Sequence, residues 1–329
     1  MNLRRMFAAA GIAGMIALAP VAHASLTLTQ AGTDAGFSLN NFLSGGSGYT
    51  FLGAANLADG TLAIGGFAGG QIFKFNDQNN QTIANALATV SFSGVIDMAT
   101  AGGQAYAASR NLGFFSVAND LSLTHIVTTP GATPTQGIAG NPVTGNLVAQ
   151  TNVGLINLNP STGANTFIAN PPSLGDGVTI SPDGKTAYVA IFGGSRLIGY
   201  DIATGAIVFD AQGLPGGPDG AAVIIGGAQN GNIIVNNNDG SVGLIDTGTK
   251  LETIIATGGT RGDFASTDLN DGSLLLFEDN SVWRLSLAGA NIGGGPAVPP
   301  PGVPEPGSFA LLAAGAAAMG LVGRRRRRA

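Results

Sequence analysis

Between its two ends the chain runs in short apolar stretches broken by turns rich in glycine and asparagine. No stretch there sustains the i, i+3, i+4 apolar spacing of an amphipathic helix. The clearest segment reads DGVTISPDGKTAYVA over 176–190, then SRLIGYDIATG over 195–205. It predicts four short antiparallel strands: Gly177 to Ile180, Thr186 to Ile191, Arg196 to Asp201 and Ala206 to Phe209. Tight Asp-Gly and Thr-Gly corners join them, where glycine accepts positive φ without steric cost. The same unit recurs from Asp59, Gly102, Thr144, Asn230 and Asp271. Its anchoring glycines are Gly60, Gly103, Gly145, Gly184, Gly231 and Gly272, spaced 43, 42, 39, 47 and 41 residues apart.

A period near 40 with four strands per unit predicts an all-β, six-bladed β-propeller over 25–289, with the first strand of each unit innermost. A right-handed β-solenoid fits less well, because its coils repeat at shorter periods. The last unit lacks an outer strand after Leu287, and Ser25 to Phe42 has no unit of its own. A strand at Leu26 to Thr29 or at Phe37 to Phe42 is therefore expected to pair with the blade containing Trp283, covering an open edge. The segments SPDGKTAYVA and LIGYDIATG resemble the YVTN-type repeat, a WD40-like propeller family common on bacterial surfaces. That resemblance implies the fold and leaves the activity open.

The two ends carry addresses. Arg4 and Arg5, an apolar run from Met6 to Leu18 and Ala22-His23-Ala24 match a secretory signal peptide over 1–24, so the mature chain is expected to begin at Ser25. At the other end, a Gly- and Pro-rich spacer over 290–303 leads to Pro304-Glu305-Pro306. An apolar segment over 308–323 follows, short for a bilayer span, and then Arg324 to Arg328. The arginine block would stay cytoplasmic. This tripartite tail, 304–329, resembles the PEP-CTERM sorting signal of Gram-negative bacteria. The resemblance implies recognition of Pro304, Glu305 and Pro306 by the membrane enzyme exosortase. It also implies anchorage at the inner membrane until processing, then a place at the cell surface or outside the cell. An ordinary C-terminal membrane anchor is the plainer reading of the same residues.

Charge narrows the partners. All 19 acids lie between Arg5 and Arg324, with only seven basic residues among them, which disfavours nucleic acid and anionic polysaccharide as direct partners unless a divalent cation bridges them. The chain has no cysteine, hence no lipobox and no disulfide. Its 53 glycines and low charge suit a durable scaffold more than a disordered polymer.

Catalytic equipment is thin. Once His23 leaves with the signal peptide, His125 is the one remaining histidine, and it sits in the strand-like LSLTHIVTT. No G-x-S-x-G, Walker or H-E-x-x-H motif occurs. The suggestive pattern is periodic: Gln136-Gly137, Asp176-Gly177, Asp219-Gly220 and Asp263-Phe264 stand just before successive innermost strands. In a propeller they would ring one mouth of the central channel. There Asp176, Asp219 and Asp263 could hold a hard cation such as Ca²⁺ through oxygen ligands; alternatively each aspartate caps its own turn. Arg261-Gly262-Asp263 spells an integrin-type tripeptide by chance, and Asn236 to Gly240 reads as a hairpin turn. Three functions stay open: a non-enzymatic binding or scaffold protein meeting extracellular polysaccharide or an envelope protein, a metal-dependent hydrolase or lyase at the channel mouth, and a self-associating surface-layer protein.

Overall fold

The computed structural model describes residues 25–191 and 193–294. The signal peptide, the 308–323 segment and Pro304, Glu305 and Pro306 lie outside the described residues. Among the described residues no helix is long and apolar enough to cross a membrane.

Six sheets stand around a central axis, each with its first strand innermost; they are antiparallel except where Leu43 and Ser44 of the sixth pair in parallel with Gln81 and Thr82. The fourth blade shows why. Its strands are Gly175–Ile180, Thr186–Ile191, Arg196–Asp201 and Ile207–Gln212, joined in that order. The innermost strand is buried at every position, whereas the outermost is exposed at half of its six. The six anchoring glycines all adopt positive φ, from 70° at Gly145 to 86° at Gly231, in the turns between first and second strands. Apolar side chains pack between blades in six clusters, one per interface, such as Ile180, Val189 and Ile198 with Val148 between the third and fourth.

The ring closes through the N-terminal segment. Phe37–Ser44 pairs antiparallel with Ser281–Leu287 in the sixth blade, setting Asn41 opposite Trp283. Of the two candidate segments, the second takes this place. Thr27–Leu28 instead extends the fifth blade, pairing with Ala256 and Thr257, and one helical turn, Gln30–Asp34, links the two strands. Near the C-terminus, Asn291–Ile292 pairs with the inner strand of the fifth blade, so the ordered ring runs into the first residues of the stretch read as spacer.

A buried cation clamps the closing seam. Arg284, 7% exposed, donates to Asp268 Oδ2 at 2.7 Å and pairs with Asp77 of the first blade. Its guanidinium lies 4.9 Å from the ring of Phe42 on the closing strand. Asp268 also accepts from Asn56 Nδ2 at 2.8 Å, tying the sixth blade to the first. Burial, with the charges of Asp77 and Asp271, pushes the Asp268 carboxyl up to about 7 despite Arg284. Phe42 is fully buried in the seam cluster with Phe51, Phe73 and Phe277. Phe42→Ala is expected to cost about 3–5 kcal/mol in urea unfolding, the usual loss for a buried phenylalanine. A loss below about 1 kcal/mol would mean that the closing strand does not hold the ring.

Candidate functional site: the acidic channel mouth

Each inner strand is irregular where it enters the channel. The register slips at Phe51/Ala54, Val95/Asp97, Pro134/Ile138, Gly175/Val178, Pro218/Gly220 and Gly262/Ala265 in the six blades. A bulge at this point re-aims one side chain per blade. In the third to sixth blades that side chain is Gln136, Asp176, Asp219 or Asp263, each at most 9% exposed; in the first two, Leu52 and Ile96 border the same mouth, with the buried Asp97 directly after Ile96. The Asp-Gly pairs thus lie inside the inner strands or at their bulges, and their glycines have a different role from a turn. Gly137, Gly177 and Gly220 keep ordinary backbone angles; what excludes a Cβ is the neighbouring inner strand. A Cβ on Gly137 would stand 2.7 Å from the carbonyl oxygen of Asp176, one on Gly177 would overlap that of Asp219, and one on Gly220 would overlap Ala265. Gly53, at positive φ, is likewise hemmed in by the next blade, where a Cβ would strike the Met98 backbone nitrogen and the Asp97 carboxylate.

Three of the carboxyls anticipated from the sequence come together. The carboxyls of Asp176 and Asp219 lie close enough to influence each other's charge, and Gln136 Nε2 donates to Asp176 Oδ1 at 3.0 Å. Arg261 reaches Asp219 Oδ2 at 3.4 Å and Asp263 Oδ2 at 3.8 Å. Arg261-Gly262-Asp263 is therefore part of the mouth's own network. Asp97 was missed in the sequence because no glycine follows it, although it stands at the repeat spacing before Gln136. Its carboxylate accepts from the backbone N–H of Met98 and of Ile138, both at 2.7 Å, joining second and third blades. Arg110 was also missed; it donates to Gln136 Oε1 at 2.6 Å and to the Thr135 carbonyl at 3.1 Å. His125 lies far out, on the outermost strand of the second blade against Phe115.

Burial sets the electrostatics. Desolvation, reinforced by the Asp176 and Asp263 charges, pushes Asp219 well above the usual carboxylate range. Asp97 rises likewise through burial against the help of its two N–H donors, and Asp176 rises although Asp219, Arg261 and Arg110 oppose it. Burial lifts Asp263 to about 6, with Arg261 holding it down. Above this floor opens a cavity of about 320 Å³ bordered by Thr50, Phe67, Arg110, Arg261 and Asp279. It offers two guanidinium groups at the rim and buried carboxyls below, a donor and acceptor set suited to hydroxyl-rich ligands.

Among the described residues no three His, Asp or Glu side chains are placed to hold a metal ion. The guanidinium of Arg261 already stands between Asp219 and Asp263, so an ion there would compete with it. Asn236 to Gly240 forms the expected hairpin turn, with the Ser241 N–H donating to Asp239 Oδ1 at 2.9 Å.

Comparison with known proteins adds two findings. The PEP-CTERM protein-sorting motif matches residues 302–328. The chain is a six-bladed β-propeller with a PEP-CTERM sorting tail. A search of curated proteins returns no match. Among solved structures, a gluconolactonase of Xanthomonas campestris superposes with a TM-score of 0.59 at 14% identity, over 80% of this chain and 94% of that one. A nidogen/laminin complex gives 0.54 at 14% identity, over 67% and 85% of the two chains. A virginiamycin B lyase of Staphylococcus aureus gives 0.50 at 11% identity, over 76% and 99%. At such identities these likenesses concern the fold alone.

Two measurements check this site. Gly177→Ala is expected to destabilise the ring by about 1–3 kcal/mol in urea, the usual cost of overpacking, because its Cβ meets backbone. A neutral outcome would mean the inner strands can part. The raised carboxyls bind protons more tightly folded than unfolded, so their contribution is fully present below about pH 4. It is lost as pH rises through about 6 for Asp263 and about 7 for Asp268 and Glu278. Unfolding free energy is therefore expected to fall from pH 4.5 to 7.5 (roughly the window between free and folded values), and a rise across it would contradict the burial argument.

Proposed function

We propose that this propeller is an exported binding or scaffold protein of the extracellular matrix, without enzymatic activity, that meets exopolysaccharide through its acidic mouth. On this reading residues 1–24 are removed on export, 308–323 is held in the inner membrane, and exosortase recognises Pro304, Glu305 and Pro306. The observation that carries the proposal is the sorting motif at 302–328, directly behind a closed ring. The mouth supports it chemically. Asp176 accepts from Gln136, Asp219 and Asp263 lie against Arg261, and His125 stands elsewhere, whereas guanidinium and carboxyl groups bordering a cavity of about 320 Å³ can hydrogen-bond hydroxyl groups.

The test has two parts. Replacing Pro304, Glu305 and Pro306 by alanine is expected to leave the chain membrane-bound with its tail intact, read by mass and by fractionation. Unchanged processing would remove the sorting reading. In pull-downs with the producing cell's exopolysaccharide, Arg110→Ala and Arg261→Ala are each expected to weaken capture about tenfold, as for loss of a charged hydrogen bond. Capture unaffected by either change would separate the ligand from the mouth.

A second reading, a metal-dependent hydrolase or lyase, is favoured by the convergence of Asp176, Asp219 and Asp263 on a fold shared with a gluconolactonase. Calorimetric titration of Ca²⁺ into the full chain separates the two. Heat that disappears in an Asp176→Ala, Asp219→Ala, Asp263→Ala variant supports the metal. Absence of heat from the folded protein leaves binding as the reading.

A further inference from the structure

We propose that the face of the ring from which the tail leaves is its membrane-facing side, so that the acidic mouth is presented away from the lipid. The proposal rests on the reading that the tail is held in a membrane. The exit point itself is fixed by the fold. Ile292 pairs with Ile224 and Asn291 with Ile225, at the end of the fifth blade's inner strand remote from Asp219. Five residues of strand separate Asp219 from Ile224, about 17 Å at the usual rise. The Ile292 N–H donates to the Gly272 carbonyl at 2.8 Å and the Gly293 N–H to that of Val223 at 2.6 Å. Ala290 and Ile292 are fully buried, and Gly293 lies so close against Thr267 that a Cβ could not fit. Gly293 and Gly294 border a second cavity of about 340 Å³ with Thr100, Asn141 and Ile180, at the channel end opposite the acids. The chain thus leaves beside the axis, on the face made of the turns between first and second strands.

The charge of that face gives it a direction. Its turns carry Asp59, Asp120, Asp183, Asp201 and Asp246 against Lys74, Lys185 and Lys250. These aspartates differ from those of the mouth in state. Hydroxyl and N–H donors of Ser122, Ser181 or Thr204 in their own turns lower Asp120, Asp183 and Asp201, which keeps them ionised. A face that is negative in this way is repelled by anionic headgroups within a Debye length, about 8–10 Å. It faces the surface without lying on it. The ten steps of chain from Gly294 to Pro304 can span at most about 35 Å, so on that reading the tether keeps this face nearest the lipid.

The absence of native cysteine makes the test direct. Val143 and Val153 are exposed, at 64% and 46%, and lie in turns at opposite ends of one strand, Leu147–Thr151. The full-length chain, as Val143→Cys or Val153→Cys, is labelled with a fluorophore. Each is inserted through its tail into vesicles of phosphatidylglycerol and phosphatidylcholine carrying a headgroup quencher. Quenching of the 143 label is expected to exceed that of the 153 label several-fold. Equal or reversed quenching on chains that float with the vesicles overturns the orientation and leaves the tail reading intact. A chain that does not float overturns the tail reading and the orientation with it.

Discussion

The close approach of six inner strands around one axis is the constraint on which the rest of this structure depends. At Gly137, Gly177 and Gly220 a side chain would strike the backbone of the next blade, so from the third blade to the sixth the inner strands pack with no room for a Cβ at these points. That closeness dries the channel mouth. The polar groups turned inward there must then find partners, which explains the Gln136 amide on Asp176, Arg261 against Asp219 and the bridge from Asp97 to the amide of Ile138.

The same residue type behaves in opposite ways at the two ends of the channel. Aspartates in the exposed turns are held ionised by hydroxyl and amide donors two or three residues on, as at Asp201 and Thr204. Aspartates in the mouth are held towards the neutral form by desolvation that neither Arg110 nor Arg261 offsets. The ring is thus polar along its axis, with a charged, tail-bearing face and a face of buried carboxyls under two guanidinium groups. Its closing seam follows the mouth's pattern, since Arg284 is buried among Asp77 and Asp268 and neutralises only part of what burial imposes.

Much of the fold was legible because glycine marks it. The anchoring glycines fall in positive-φ turns that few other residues accept, so their spacing counts blades directly. The closing strand was legible as an absence, since the sixth unit stops after Leu287 and Phe37 to Phe42 lacks a unit. The site was legible in part. Asp176, Asp219 and Asp263 announce themselves through repetition, but the glycine beside Asp176 or Asp219 looks like a turn when its true cause is a neighbouring blade distant in sequence. Asp97, without that glycine, and Arg110, outside the repeated position, carry their meaning only in three dimensions. The role of Arg261 between two carboxyls could not be read from a tripeptide, because Asp219 lies 42 residues away.

The central claim is that packing around the axis, rather than a bound ion, governs the state of the mouth carboxyls. Carbon-13 NMR of aspartate side-chain carboxyls across pH 3 to 9 (roughly the span from free to strongly raised groups) tests it most directly. The account predicts that Asp97 and Asp219, assigned through Asp→Asn variants, still carry protons at a pH where Asp120 and Asp201 have long ionised. Mouth carboxyls that titrate together with the exposed turn aspartates would contradict it.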